Sequence, residues 1–455
     1  MQQKKVAIIG AGLTGLSLAY FLKKEGITCK IFEKSNTCGG VIKSFTEGGY
    51  TFESGPNTGV LGNIEIEQLL SELQDTCKLE IAAETAKKRL ILKNNSWEAL
   101  PSGLLSAINT PLFSTYDKFR ILGEPFRNKG KNPNETVREM VERRLGKSFH
   151  DYAVAPFING VYAGNTDELI TRFALSKLYA LEQEYGSFIK GSISKQRKNK
   201  KLGIPSPSKK VFSTEGGLQS FIKALESKIL NQIEYSCNQI LISKFQDKYS
   251  IMWNQNNTEQ TEIFSHVIST INAHEIPNIL PWIDSSDKEI FNSVSYAPVV
   301  QACVGFKNWD GININAFGGL IPPKEKRDLL GILFTSSMFP NRAPKNGAML
   351  SIFMGGALRK DIIEKNEEEL KEIIKRETSE LLQIQNWNPE IIKIFKHPYA
   401  ITQYTIHMEK VNHTILKIED SNPNLIIGGS ICNGIGMADR VKQSYNIALK
   451  ILHQE

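Results

Sequence analysis

Six residues near the start of the chain, Gly10-Ala11-Gly12-Leu13-Thr14-Gly15, have the types and spacing that cradle a pyrophosphate. Gly10 allows a tight turn, Gly12 lets the main chain approach the phosphates, and Gly15 permits close packing of a helix on a strand. Leu13 and Thr14 open that helix, whose N-terminus supplies free N–H donors and a partial positive charge. Glu33 lies 18 residues beyond Gly15, placed to accept hydrogen bonds from ribose hydroxyls, with Lys34 beside it as a further contact. An acid there favours an unphosphorylated adenosine ribose, hence FAD or NAD rather than NADP.

The choice between those two cofactors rests on the segment from Gly39 to Asn57. A second glycine pair, Gly39-Gly40, comes six residues after Glu33, and Gly49 to Glu53 reads as a strand ending in the rigid corner Gly55-Pro56-Asn57. Such an extra cradle suits a longer cofactor and points to FAD.

The elements that must position these residues are visible around them. Lys4 to Ile9 is a strand-length apolar run, Leu16 to Leu22 has helical apolar spacing, and Thr28 to Phe32 is a second strand, so the glycines sit in a βαβ unit. From about 100 to 200 the texture becomes helical, with Thr136–Leu145 and Ile170–Tyr185 as predicted helices. After Val211 it returns to α/β, and residues 290 to 356 are strand-rich. Glu364–Leu382 reads as a charged amphipathic helix. Near the end, the strand Asn424–Ile427 leads into another glycine-rich turn at Gly434 and Gly436.

The expected architecture is therefore α/β: an FAD-binding, Rossmann-like fold with two dinucleotide-binding halves, a strand-rich substrate domain and a helical insertion. Its FAD-binding domain is expected to be discontinuous, over 1–80, 205–285 and 395–455. The substrate domain is expected over 81–100 and 286–394, and the helical, membrane-facing domain over 101–204. A chain of 455 residues, 41% hydrophobic and 23% charged, has ample material for such a core and is neither a disordered nor a fibrous composition. It lacks an 18-residue apolar stretch, so no bilayer span is expected. The opening Met1-Gln2-Gln3-Lys4-Lys5 does not read as a signal peptide, and an intracellular protein is expected. The six cysteines show no metal-ligand spacing, and buried thiols are expected. Lys plus Arg exceed Asp plus Glu by 55 to 48. The excess is uneven: residues 190 to 210 carry eight bases and no acid. A solvated loop is expected there, with an anionic lipid surface as the functional alternative and no nucleic acid, because interleaved aromatics are missing.

Further segments carry a resemblance. Gly39 to Asn57 is similar to the flavoprotein superfamily of amine oxidases, carotenoid desaturases and protoporphyrinogen oxidases, although Val41 stands where an Arg often follows the glycine pair. Pro156-Phe157-Ile158-Asn159-Gly160-Val161-Tyr162-Ala163-Gly164, Lys177 to Ser187, Phe212 to Leu218 and Ser336-Ser337-Met338-Phe339-Pro340-Asn341-Arg342-Ala343-Pro344 resemble the protoporphyrinogen oxidase family, FAD-dependent enzymes of the flavin amine oxidase superfamily. The likeness runs from Lys4 to the last helix. Asn165, Thr402 and Ser430 depart from the pattern, which has Asp, Pro and Asp in their places.

The resemblance implies FAD-dependent oxidation of protoporphyrinogen IX or coproporphyrinogen III to the porphyrin, with O2 as acceptor, in haem biosynthesis. Another flavin oxidoreductase, an amine oxidase or carotenoid desaturase, is the alternative. It also implies roles. Asn57 lies beside the reacting carbon as the catalytic candidate, with a plain turn residue as the alternative. Arg89 grips a propionate, Gly160 gives close approach to the macrocycle, and Leu320 and Phe339 sandwich its rings, with ordinary packing as the alternative for each. Ser430 meets the ribityl chain or pyrophosphate through a neutral hydroxyl. Gly436 and Met437 bring a helix start to the flavin pyrimidine. His407 is expected to be structural. The chain is expected as a monomer or homodimer in the cytoplasm, with peripheral attachment at the inner face of the cytoplasmic membrane as the alternative to a free cytosolic enzyme.

Overall fold

The structure is a computed structural model and describes residues 4–453. Met1–Gln3, on which the reading of the amino terminus partly rests, lie outside the described residues.

Five parallel strands form the central sheet, in the order Ile233–Glu234, Thr28–Phe32, Lys5–Ile9, His266–Ser269, Leu425–Ile427. Their near-continuous apolar runs fit a sheet covered on both faces. The Leu13–Lys24 helix starts at Gly12 and packs against the Met437–His453 helix, where the Ser444 hydroxyl donates to the Thr14 carbonyl at 2.7 Å. An antiparallel meander, Asn238–Phe245, Lys248–Gln255 and Thr258–Phe264, closes one side through edge-on contacts of Phe32 with Trp253 and Phe264. Its second turn is Asn256-Asn257, both at positive φ, which suits a two-residue hairpin.

A mixed seven-stranded sheet stands apart. Its order is Ile391–Thr402, Tyr296–Phe306, Ala348–Gly355, Leu329–Phe334, Gly318–Leu320, Arg89–Lys93, Ser96–Ala99. One face is buried under the Glu367–Leu382 helix, with Val300, Ile332 and Ile352 packed on Leu370 and Ile374. The other face looks toward the glycine-rich half. The expected boundary at 394/395 falls inside the unbroken strand Ile391–Thr402, because that strand pairs along Tyr296–Phe306 over almost its whole length.

The segment from 104 to 201 is mostly helical, as its periodicity predicts. The long pattern from Ile170 to Tyr185 is broken at Leu175 into Thr171–Ala174 and Ser176–Tyr185. The basic run differs more from expectation. Phe188–Lys201 is a helix, not a loop, started by the Ser187 hydroxyl accepting from the Lys190 amide. Lys and Arg are good helix formers, and capping supplies the start. The helix is anchored by the fully buried Arg144–Glu124 pair, since Glu124 also accepts from the Ser187 hydroxyl and the Phe188 amide. Among the described residues no helix is long and apolar enough to cross a membrane.

Candidate functional site

At the C-terminal ends of the parallel strands the glycines meet their spatial requirements. A Cβ on Gly15 would lie 2.0 Å from the Gly10 carbonyl oxygen, so only glycine lets this helix approach its strand. A Cβ on Gly12 would meet nothing within 4 Å, which leaves open space over the helix N-terminus. Gly39, at φ +103°, donates its amide to the Ala11 carbonyl at 2.9 Å, and this docks the second glycine turn on the first. Gly40 then faces Gly12: a Cβ there would sit 3.8 Å from the Gly12 Cα.

Glu33 is buried at the rim. Its two carboxylate oxygens accept from the Ala11 and Ser35 amides, each at 2.8 Å, and each keeps lone-pair capacity for a ribose hydroxyl. Lys34 reaches the Glu275 carboxylate across the mouth of a 590 Å³ cavity lined also by Gly10, Phe32, Leu241 and Trp253. Among the described residues, the buried Trp253 indole N–H has no hydrogen-bond partner. An open glycine cradle, an oriented acid and an orphaned donor beside a cavity of this size fit the ADP half of FAD.

The carboxy-terminal turn closes the other end. Tyr404 donates its phenol to the Ser430 carbonyl at 2.8 Å and accepts from the Gly434 amide at 3.1 Å, which fixes the turn before Gly436 and Met437. Burial pushes the phenol well above its usual pKa, so it stays a donor. Tyr404 was legible only as part of a motif, and its role emerges from this contact. His407 immediately precedes the Met408–Asp420 helix and is exposed.

Register in the seven-stranded sheet builds the remaining side. Arg89 pairs with Gly318, Gly318 with Leu333, Leu333 with Ser351 and Ser351 with Cys303. Two residues along, the same rung reads Ile91, Leu320, Gly331, Phe353 and Gln301. Paired residues and those two apart share a face, so these side chains all project from the side opposite the helix-covered core. The loop from Glu53 to Asn57 is fastened to that face. Gln301 and Cys303 donate to the Glu53 carbonyl at 2.9 and 3.2 Å, His397 donates Nε2 to the Ser54 carbonyl, and Ser351 donates to Asn57 Oδ1 at 2.7 Å. Burial holds His397 below its usual pKa, hence neutral. The Asn57 amide donates to the Gly55 carbonyl at 3.1 Å, and a Cβ on Gly55 would lie 2.1 Å from the Val41 carbonyl oxygen. Pro56 is the half-buried corner between them.

Arg89 is exposed, with its guanidinium 5.3 Å from the centre of the Phe317 ring and no ion pair among the described residues. In strands that are otherwise buried, Leu320, Leu333 and Phe353 are each partly exposed, which leaves apolar surface accessible on this face. Gly160 belongs to this wall: the space a Cβ would take is filled by the Leu320 side chain, at 2.4 Å. Asn57, Arg89, Gly160 and Leu320 thus come together. Phe339 lies behind them: at 2% exposure it is packed with Met338 and Ala86 under the Arg342 guanidinium, in a cluster on which Leu333 and Phe317 rest, so it backs this wall and does not line it. Leu333 and Phe353 were missed by sequence reasoning, since only strand register sets them beside Arg89 and Asn57.

The chain is similar along almost all its length to a mitochondrial protoporphyrinogen oxidase of Nicotiana tabacum, with 29% identity over 98% of this chain and 94% of the relative. It is likewise similar to a coproporphyrinogen III oxidase of Staphylococcus aureus, with 27% identity over 99% of both chains. Among solved structures, one from Exiguobacterium sp. 255-15, provisionally named a protoporphyrinogen oxidase, superposes with a TM-score of 0.80 at 19% identity and covers all of both chains. A reduced UDP-galactopyranose mutase superposes with a TM-score of 0.75 at 15% identity over 99% of this chain and 95% of that one, so the fold by itself does not choose a reaction. Residues 13–434 match the family described as flavin containing amine oxidoreductase, whose cofactor, FAD, suits the cradle built above. The chain belongs to that family of flavin-dependent oxidoreductases.

Proposed function

We propose that this oxidoreductase converts a porphyrinogen, protoporphyrinogen IX or coproporphyrinogen III, to the porphyrin with O2 as final acceptor, as a step of haem biosynthesis. One observation carries the reading: Arg89 and Asn57 serve one open sheet face. Three strand spacings of about 4.8 Å separate Arg89 from Ser351, the residue that holds Asn57, or about 14 Å. A tetrapyrrole with a propionate arm bridges such a span. The names of the similar proteins support the same substrate class.

In this reading Arg89 receives a propionate, because a guanidinium already steadied on an aromatic ring can grip a carboxylate bidentately. Leu320, Leu333 and Phe353 receive the apolar face of the macrocycle and exclude water. Asn57, held by Ser351 and Gly55, orients the bridging methylene carbon from which hydride leaves. The pyrrole nitrogens push electrons, so the chain needs no strong base at that carbon. FAD, when bound, supplies the two-electron acceptor.

The same reading places the enzyme peripherally on an anionic membrane. Ile108, Tyr116, Phe119, Leu122 and Phe126 expose large apolar side chains, and the Lys190 ammonium of the basic helix lies 5.1 Å from the Phe126 ring centre. Apolar insertion plus basic attraction makes a two-signal, salt-sensitive anchor.

Anaerobic mixing with each porphyrinogen, then with an amine and a polyene, tests the substrate. Flavin bleaching and porphyrin fluorescence with a porphyrinogen alone are expected. Bleaching by the amine or polyene alone defeats the reading. Co-sedimentation with anionic and neutral liposomes across a salt series tests the location, and protein left in the supernatant at low salt defeats it.

A further inference from the structure

Arg440 sits in the first turn of the Met437–His453 helix and is 7% exposed. Among the described residues it makes no ion pair. Its guanidinium donates to neutral acceptors: the Gly429 carbonyl, the Cys432 carbonyl and, at 2.9 Å, Gln443 Oε1. Its buried Nε has no hydrogen-bond partner among the described residues. Both terms of the electrostatics are adverse, since a buried cation wants a counter-charge and the first turn of a helix is its positive end. Burial accordingly pulls the guanidinium below its ordinary pKa.

The hydrogen bonds have a second consequence. A trans peptide points its C=O and N–H in opposite directions. With the Gly429 and Cys432 carbonyls turned to Arg440, the amides of Ser430 and Asn433 are turned away from it. Tyr404 takes the Ser430 carbonyl and so turns the Ile431 amide outward from the phenol. None of these three amides donates to an acceptor among the described residues, although the neighbouring Cys432 and Gly434 amides do. Gln443 locks the arrangement by accepting from the Gly429 amide at 2.9 Å and donating to the Cys432 carbonyl at 3.2 Å. A fixed cation thus backs a turn of free donors, directly before the helix start at Gly436 and Met437.

We infer that Arg440 is a positioning residue for FAD: its fork holds the Gly429–Asn433 turn with amides facing the cofactor, and its charge favours the reduced, anionic flavin over the oxidised one. The Asp439 carboxylate beside it favours the charge without pairing with the guanidinium, and the ligand supplies the further counter-charge. This rests on FAD as cofactor and not on the porphyrinogen reading, and its test uses no porphyrinogen.

The test compares wild type, Arg440→Met and Arg440→Lys by FAD dissociation constant, flavin midpoint potential and sulfite-adduct affinity, with apoprotein melting as the fold control. Met is close in length but uncharged. It is expected to weaken the preference for reduced over oxidised FAD about tenfold, which is about 30 mV lower for a two-electron couple, and to weaken sulfite binding by a similar factor. Lys keeps the charge but replaces the fixed two-pronged fork with a single nitrogen that holds the two carbonyls less rigidly, so its potential is expected close to wild type with FAD bound several-fold more weakly. Wild-type potential and sulfite affinity in the Met variant overturn the inference. Should the Met variant not fold, wild-type FAD affinity in the Lys variant overturns it. A wild-type protein that takes up no FAD refutes the cofactor assignment instead.

Discussion

The hydroxyls of Thr402 and Ser430 hydrogen-bond to each other at 3.0 Å. These are two of the three positions at which the chain departs from the pattern it resembles, and the structure makes them partners. A neutral pair thus stands where a proline and an acid are expected.

The pair should act as a unit in cofactor binding. Ser430→Ala and Thr402→Ala are each expected to weaken FAD binding about fivefold, the worth of one hydrogen bond of about 1 kcal/mol. The double variant should be no weaker than either single one. Flavin release followed by fluorescence gives the cycle, and additive losses would show that the hydroxyls act separately.

Gly12→Val should separate cofactor binding from folding. Open space surrounds the added side chain, and the Gly12 φ of −72° is allowed to valine, so the apoprotein should melt as wild type does. The purified protein should nevertheless be colourless, because the side chain occupies the pyrophosphate path. Gly15→Ala should instead destabilise the fold, its Cβ colliding with the Gly10 carbonyl. A yellow Gly12→Val protein would place the phosphates elsewhere.

Arg89→Ala should raise KM for the porphyrinogen roughly tenfold or more, the loss of a charge-assisted hydrogen bond worth about 1.5 to 3 kcal/mol, with a smaller change in kcat. Asn57→Ala should lower kcat instead, and Ser351→Ala should do so in part by releasing the Asn57 side chain. Steady-state kinetics on the three variants checks the division. Unchanged KM in Arg89→Ala removes that residue from the site.

The two phenylalanines should divide in the same manner. Phe353→Ala truncates a partly exposed residue of the sheet face and should raise KM with little loss of stability. Phe339→Ala empties a buried cluster behind Leu333 and should cost about 3 to 5 kcal/mol with a smaller change in KM than Phe353→Ala. Melting curves and KM together decide, and a KM effect confined to Phe339 would reverse the assignment.

Glu53 gives the fold a pH dependence. Burial, outweighing the hydrogen bonds from the Ser44 hydroxyl and the Leu218 amide, pushes its carboxyl from 4.5 up to about 7. Between those values the folded protein holds a proton that the unfolded chain has lost, so stability falls as pH rises from about 4.5 to about 7. The full effect is about 3 kcal/mol. Glu53→Gln should flatten that part of the stability profile, as measured by denaturant midpoints at several pH values, and an unchanged slope would assign it to other groups.

The dinucleotide cradle is legible in the sequence because it is local. Gly10, Gly12, Gly15 and Glu33 lie within one βαβ unit, where chain connectivity fixes the geometry and Gly15 answers a contact with Gly10 only five residues away. The helical texture between 104 and 201 is equally local, although capping at Ser187 and the buried Arg144–Glu124 pair were needed to make the basic run a helix. The sheet face is different. Arg89, Leu320, Leu333, Phe353 and Asn57 come from five separate segments, and their common face depends on the register of strands distant in sequence. A one-residue slip in any strand would turn its side chain into the opposite core. The pairing of Thr402 with Ser430 and the unpaired charge of Arg440 arise in the same way. The sequence names those residues, but packing alone brings a hydroxyl to a hydroxyl and leaves a guanidinium among carbonyls, because long-range contacts are settled by the whole core and not by neighbours along the chain.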